Sequence, residues 1–385
     1  MPTYTHDATN GKISPTKRTE QIVKHVNLLW DNSIYLDRYS IENRRYIGCK
    51  SKLIDWIFNI ITNETENVHS FCDLFAGTGV IANKAIQLYD KIVINDFLYS
   101  NYSIYQAFFG KGIWNENHIL SLINEYNNLH ADNLADNYFS INFGGKFFDK
   151  DIAKIIGFIR EDIEAQKTSL TEKEYHILLA SLIYSIDRLA NTLGHFDAYI
   201  KKEIRQTSFT MRMINVQSLN NVYIYRQDAN QLAKSIHADI VYMDPPYNSR
   251  QYSRFYHVYE NLVQWKKPQL FGVAMKPKEE LMSDYCRTAA TKVFTELVTH
   301  IDARYIVVSY NNTYRSKSSS SENKIKLEQI QEILNLCGDT QIFTHKHNPF
   351  NSGKTEFNDH KEYLFVTTID NEKRNRSLAT ILRRR

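Results

Sequence analysis

The sequence predicts an α/β fold: a seven-stranded, mostly parallel sheet with helices on both faces, carrying a large and mainly helical insertion. Three observations predict it. Apolar runs alternate with amphipathic stretches in β–α–β–α order from Ser51 to beyond Ser100. The pattern is then interrupted until Val222, too long a break for an ordinary loop. It resumes there and ends in two runs that read as a closing antiparallel pair.

The elements follow in order. Leu53, Ile54, Ile57, Phe58 and Ile61 form a helical stripe. Ser70-Phe71-Cys72-Asp73-Leu74-Phe75 is a short strand, leading through Ala76-Gly77-Thr78-Gly79 into a helix from Val80 to Leu88. Lys91-Ile92-Val93-Ile94-Asn95-Asp96 is a second strand, with a helix after it from about Ser100. Inside the insertion, Thr171-Glu172-Lys173-Glu174 forms a capping box that opens an amphipathic helix through Leu178, Leu182, Ile186 and Leu189. Polar and aromatic segments flank that helix. The sheet continues with Val222–Tyr225, Ile240–Met243 and Tyr305–Tyr310, and closes with Gln341–Thr344 and Glu362–Thr367. The expected organisation is an arm over residues 1–40, a sheet domain over 41–100 and 221–370, the insertion over 101–220, and a basic tail over 371–385.

Bulk properties narrow the class. The chain has 385 residues, 43% of them apolar, enough for a full core. No run approaches the ~20 apolar residues of a membrane span, and the N-terminus lacks the pattern of a secretory signal. Cys49, Cys72, Cys286 and Cys337 are scattered, which argues against disulfides and a zinc knuckle and for a reducing cytoplasm. A net charge of +4 neither demands nor excludes nucleic acid. The tail from Lys373 to Arg385 is either a phosphate-contacting arm or a solvated segment. The 25 Tyr and 20 Phe suit base stacking, although most such rings fill cores.

Asp244-Pro245-Pro246-Tyr247, at the end of the run Asp239–Met243, is the most informative stretch. A carboxylate accepts hydrogen bonds from an amino group. Each proline fixes its backbone and leaves a carbonyl as a further acceptor, and a tyrosine offers a stacking face. Together they suit a flat, amino-bearing heterocycle; a Pro-rich turn with incidental Asp and Tyr is the plain alternative. Three more strand ends point the same way. Asp73 and the loop through Phe75, Gly77 and Gly79 allow close backbone approach to a ligand. There is no third glycine at dinucleotide spacing and no Gly-Lys-Ser/Thr for a phosphate loop. Asp96 is placed either to hold ribose hydroxyls or to cap a helix. Asp228 is placed either to meet an adenine amino group or to close a turn. Ligands of open α/β sheets bind beyond such C-terminal strand ends. The ligand implied is a nucleoside without phosphates, a description that S-adenosylmethionine fits.

Phe-Ala-Gly-Thr-Gly (Phe75–Gly79), then Asn95-Asp96-Phe97, then Asp244-Pro245-Pro246-Tyr247 resembles the amino-group DNA methyltransferases. Arg45-Tyr46-Ile47-Gly48-Cys49-Lys50, ahead of the glycine loop, resembles the segment that closes over the methionine end of their cofactor; Cys49 departs from the glycine common there. This order is similar to the D12 class of adenine-N6 methyltransferases. Tyr247–His257 and Asp187–Tyr199 resemble a subgroup linked to restriction systems, and the likeness spans about Arg44 to Thr367.

The resemblance implies the Rossmann-like fold of class I S-adenosylmethionine-dependent methyltransferases, with S-adenosylmethionine as cofactor, double-stranded DNA as partner, a cognate restriction endonuclease acting independently, and no metal. It implies roles as well. Asp73, Gly77 and Gly79 would hold the methionine moiety, with Phe75 in the same loop, Asp96 the ribose and Asp228 the cofactor adenine. Lys50, with Arg45 and Tyr46 nearby, would approach the cofactor carboxylate or a DNA phosphate. The target adenine must leave the duplex stack. Tyr247 would stack on it, while Asp244 and the Pro245 carbonyl accept its N6 hydrogens and Pro246 stiffens the wall. Arg250, Gln251, Tyr252, Arg254 and His257 follow too closely to lie far from substrate; they read base edges, contact phosphates or support Tyr247. Sequence recognition is expected in the insertion, with Lys146, Arg188, Asn191, His195, Lys201, Lys202 and Arg205 as candidates. The subgroup likeness points to a short palindrome such as CATG. Competing readings are an RNA adenine methyltransferase, a DNA-binding relative without catalysis, and a nicotinamide oxidoreductase. The intact tetrapeptide and glycine loop oppose the second, and the missing third glycine opposes the last.

Overall fold

The computed structural model describes residues 37–201, 204, 208–246, 249–278, 281–312, 324–346 and 361–383. Tyr247, Asn248, Lys202, Arg205, the Ser318–Ser321 loop and most of the expected N-terminal arm lie outside the described residues. Tyr39–Arg385 forms one compact unit.

The chain order is α1 (Ile54–Glu64), β1 (Ser70–Asp73), α2 (Val80–Ala85), β2 (Lys91–Asn95), α3 (Tyr99–Phe108), α4 (Glu116–Asn127), α5 (Tyr138–Phe143), α6 (Lys150–Ala165), α7 (Glu172–Asp187) and β3 (Val222–Tyr225). There follow α8 (Ala229–Leu232), β4 (His237–Met243), α9 (Tyr252–Phe255), α10 (His257–Gln264), α11 (Ala290–His300), β5 (Asp302–Asn311), α12 (Leu327–Leu334), β6 (Gly338–Lys346), β7 (Lys361–Ile369) and α13 (Asn371–Arg383).

The strands build a seven-stranded sheet in the order β3-β2-β1-β4-β5-β7-β6. The pairings from β3 to β5 are parallel, and β7 runs antiparallel to both its neighbours. Neighbouring side chains on a strand point to opposite faces, and here both faces are covered. Phe71, Ile92, Ile94, Ile240, Val307 and Leu364 join one buried cluster with α1, α2 and α3. Cys72, Val93, Val241, Met243, Ile306 and Phe365 join the other with α11 and α12. The order reverses direction between β1 and β4, which opens a crevice beyond their C-terminal ends.

The insertion is helical and welded to the sheet domain. Phe139, Phe143, Ile156, Leu178 and Leu182 belong to the same apolar cluster as the strand residues Ile92 and Tyr242. Thr171 caps α7 as its sequence implied: its side chain accepts from Glu174 N, and Glu174 returns to Thr171 N. Some boundaries differ from the sequence reading. α2 is regular only to Ala85, α5 forms inside the polar and aromatic flank Asn137–Lys150, and α6 follows it over a stretch the sequence reading assigned to no element. The tail is a docked helix rather than a solvated segment. Lys373 Nζ donates to Gly338 O at 2.9 Å, Arg374 Nη1 to Ile301 O at 2.6 Å and Ser377 Oγ to Leu336 O at 2.9 Å.

Candidate active site

β1 ends at Asp73 and drops into the glycine loop, where Gly77 and Gly79 have φ of 55° and 81°. Those angles disfavour any side chain. A Cβ on Gly79 would also stand 3.0 Å from Tyr105 Cε1. The loop is braced from several sides. Gly77 N donates to Asp96 Oδ2 at 2.9 Å, while Gly77 O accepts from Tyr105 Oη at 2.7 Å and Arg44 Nη2 at 3.1 Å. Asp96 also accepts from Leu98 N at 2.8 Å. Each of its oxygens therefore already holds backbone, and the Asn101 side chain bonds the carboxylate as well.

One cleft runs along the strand ends, lined by Tyr46, Lys50, Asp73, Phe75, Gly77, Asp96, Asp228, Asp244 and Pro246 among others. Gln251, Tyr252 and Ser283 line it too. The topology thus brings together most of the residues expected to hold cofactor and target. Asp228 caps α8, accepting from Gln231 N at 3.1 Å, and remains exposed at the cleft edge. Phe75 packs edge-on against Tyr285. Tyr46 stacks on Tyr256 at 4.5 Å and on Tyr252 at 5.5 Å, with the Arg44 guanidinium 4.9 Å from its ring centre.

The carboxylates differ in their surroundings. Asp73 is 1% exposed, and neither of its oxygens has a hydrogen-bond partner among the described residues. Burial, and then the Asp244 and Asp96 carboxylates, hold its carboxyl well above the usual range. Asp244 sits just past β4 with its Oδ1 3.3 Å from Lys50 Nζ. Its burial pushes it up to about 6 although Lys50 pulls the other way. Lys50 Nζ lies 3.3 Å from Glu362 Oε2 as well.

Several expectations change here. Lys50 does not reach out toward a cofactor carboxylate or a phosphate; it is buried and ion-paired to Asp244 and Glu362, which a lone buried ammonium requires. Arg45 turns away from the cleft to the end of α7, where Asp187 Oδ2 is 3.3 Å from its Nε. His257 is no DNA contact. It is 1% exposed, its Nδ1 is 3.0 Å from Arg254 O, and Phe143, Phe147 and Phe196 surround it. Burial lowers it to about 4, so it stays neutral. Gln251 spends its amide on Ser283, donating to Ser283 O at 2.9 Å and accepting from Ser283 N at 2.7 Å. Asn191 likewise ties two loops, donating to Lys146 O at 3.1 Å and Ile200 O at 2.9 Å. Tyr252 serves the aromatic stack on Tyr46. Arg188 is exposed, its guanidinium 5.8 Å from the Tyr39 ring centre; Arg250 and His195 are half-buried at Phe255, His195 stacked on it at 5.0 Å, and half-buried Arg254 donates from Nη1 to Pro277 O at 2.8 Å.

Sequence reasoning missed Arg44 and Glu362. Nothing distinguishes Arg44 from Arg45 by type. Glu362 carried a signal: it shares a strand face with Leu364 and Val366, and a carboxylate on an apolar face wants a partner.

The sequence model of the D12 class N6 adenine-specific DNA methyltransferases matches residues 46–320. The chain belongs to this family. Among D12 relatives, the type II methyltransferase M.NlaIII of Neisseria lactamica is 29% identical over 340 residues, covering 83% of this chain and 98% of that protein. M.CviAII of Paramecium bursaria Chlorella virus 1 is 29% identical, covering 84% and 98%. M.FokI of Planomicrobium okeanokoites is 30% identical over 85% of this chain, which spans only 53% of that protein. The family match settles the competing readings left by the sequence in favour of adenine N6 methylation of DNA. Among the described residues no helix is long and apolar enough to cross a membrane.

Proposed function

We propose that the cleft holds S-adenosylmethionine beside a single adenine extruded from duplex DNA, and that the protein is the modification enzyme of a restriction-modification system. One observation carries this reading. Two carboxylates stand at adjacent strand ends across the crevice, Asp73 without a hydrogen-bond partner and Asp244 paired to Lys50. A buried carboxylate in Asp73's position is costly unless a ligand supplies a donor or a positive charge. A cofactor bearing an ammonium and a sulfonium, bound in a cleft lined by Asp73, Asp96, Asp228 and Asp244, answers that need.

Asp73 and the Gly77–Gly79 loop would take the methionine end, Asp96 the ribose from its place in the cleft wall, and Asp228 the adenine at the exposed cleft edge. When bound, S-adenosylmethionine supplies a methyl group made electrophilic by the sulfonium. The chain's own contribution is positioning. Asp244 and the Pro245 carbonyl accept the two N6 hydrogens of the target, which turns the nitrogen lone pair out of ring conjugation and toward the methyl group. Tyr247 stacks on the flipped base, which offsets part of the few kcal/mol of unstacking. Arg188, His195, Arg250 and Arg254 contact the duplex around the cleft mouth, and Asn191, Gln251 and His257 hold the loops that carry them. The type II relatives support assignment to a restriction-modification system with an independently acting endonuclease.

Asp244→Ala tests the assignment. Methyl transfer to unmethylated duplex DNA is expected to fall by about a thousandfold or more, while S-adenosylmethionine binding, measured by equilibrium titration, stays within about twofold. Loss of cofactor binding in step with activity would place Asp244 in the wrong half of the site.

A further inference from the structure

β7 runs antiparallel beside β5, which itself lies beside β4. That arrangement delivers Glu362, the second residue of β7, to the acceptor end of the cleft although it is far from Asp244 in sequence. Its carboxylate is 6% exposed and stands 3.3 Å from Lys50 Nζ, the same distance that separates Lys50 from Asp244. Glu362 lies beyond the stretch that matches the family. A buried ammonium held at equal distance between the buried Glu362 carboxylate and the partly exposed Asp244 carboxylate, which faces the cleft, gives the trio one net negative charge.

We propose that Glu362 is a positioning residue for methyl transfer: by sharing the Lys50 ammonium, it keeps Asp244 from closing into a one-to-one ion pair and leaves its carboxylate open to the target amine. The inference rests on the role of Asp244 given above. In a one-to-one buried pair the ammonium would occupy the lone pairs that the N6 hydrogens need. With Glu362 drawing on the same ammonium, Asp244 keeps both charge and free acceptor capacity. Proton balance points the same way. Transfer forms the N6–C bond, breaks the S–C bond with its electron pair left on sulfur, and leaves N6 with a proton to lose. Asp244 is the base at hand, and water takes the proton from it as product leaves.

The charged and titratable groups facing Asp244 are Lys50 from the segment before α1, Asp73 from β1, Tyr242 from β4, Tyr310 from β5 and Glu362 from β7, with Asp96 of the glycine-loop brace next to Asp73. Glu362 raises the Asp244 carboxyl, against the lowering by Lys50. Removing the Glu362 charge therefore lowers it.

The experiment compares Glu362→Gln and Glu362→Asp with the unaltered protein in single-turnover methyl transfer across pH, with Asp244→Ala beside them. S-adenosylmethionine and duplex DNA binding are measured at equilibrium for each. Glu362→Gln is expected to move the acid limb of the profile down by about one pH unit and to lower the plateau rate about tenfold. Both affinities should stay within about twofold. Glu362→Asp should recover most of the rate and the original limb, and it carries the test if Glu362→Gln does not fold. An unshifted limb and plateau in Glu362→Gln, or a rate loss matched by lost binding, would overturn the proposal. Failure of the underlying reading looks different: Asp244→Ala would then still transfer methyl groups.

Discussion

Asp244 has the properties its proposed role demands because of what surrounds it. Burial raises its carboxyl to about 6, and Lys50 stops it from rising further. The carboxylate must be ionised to accept two N6 hydrogens, so single-turnover transfer should be flat at neutral pH and fall as pH drops through about 6. Lys50→Met removes the cation and lets the carboxyl rise, so the same limb should move to higher pH; a pH–rate series on both proteins checks the sign. Asp244 stood out in the sequence as the acceptor candidate because Asp-Pro-Pro-Tyr closes an apolar run, and the structure puts it in the cleft wall. Lys50 was also picked out, yet its direction was misread. A lysine's long stem lets it serve either a ligand or a buried carboxylate, and only tertiary packing decides which. His257 was misread for a related reason: nothing in a string of polar and aromatic residues says which of them turns inward.

The glycine loop and the clamp around Asn191 show two kinds of local requirement. At Gly79 the backbone is left-handed and a Cβ would crowd Tyr105. Gly79→Ala should cost about 1–2 kcal/mol in backbone strain alone and weaken cofactor binding, which isothermal titration would register. Asn191 instead joins Lys146 O and Ile200 O across two loops. Asn191→Ala leaves these acceptors without their donor and should lower stability by about 1–3 kcal/mol, read as a shift in urea midpoint. Cofactor affinity should be unchanged, because Asn191 does not line the cleft. β1, β2, β4 and β7 were legible because each carries an apolar run closed by an Asp, at Asp73, Asp96, Asp244 and Asp370. The helix Lys150–Ala165 was not picked out, since its charged residues obscure a stripe through Ile152, Ile156, Ile159 and Ile163 that only packing confirms. The docked tail helix was missed because its anchors are backbone carbonyls of Ile301, Leu336 and Gly338, which leave no trace in sequence.

The whole molecule is a sheet domain whose insertion shares its core. Leu178 and Phe143 of the insertion and Ile92 and Tyr242 of the sheet sit in one buried cluster. Excising residues 109–220 should therefore yield an aggregated product rather than a small, non-specific methyltransferase, a result visible by size-exclusion chromatography and circular dichroism. The mostly parallel sheet and its closing antiparallel pair were legible in the β–α–β–α rhythm, while the strand order that opens the crevice came from the structure. What the DNA sequence reader touches was not legible: side-chain types such as Arg, Asn and His serve base edges, phosphates and loop carbonyls alike. The central claim is that this cleft, organised by Asp244, methylates adenine N6 in duplex DNA. Nucleoside analysis of unmethylated duplex after incubation with the protein and labelled S-adenosylmethionine tests it most directly. N6-methyladenine at one short recurring sequence, with none formed by Asp244→Ala, is the expected result; label in cytosine or in RNA alone, or undiminished N6-methyladenine from the variant, would contradict it.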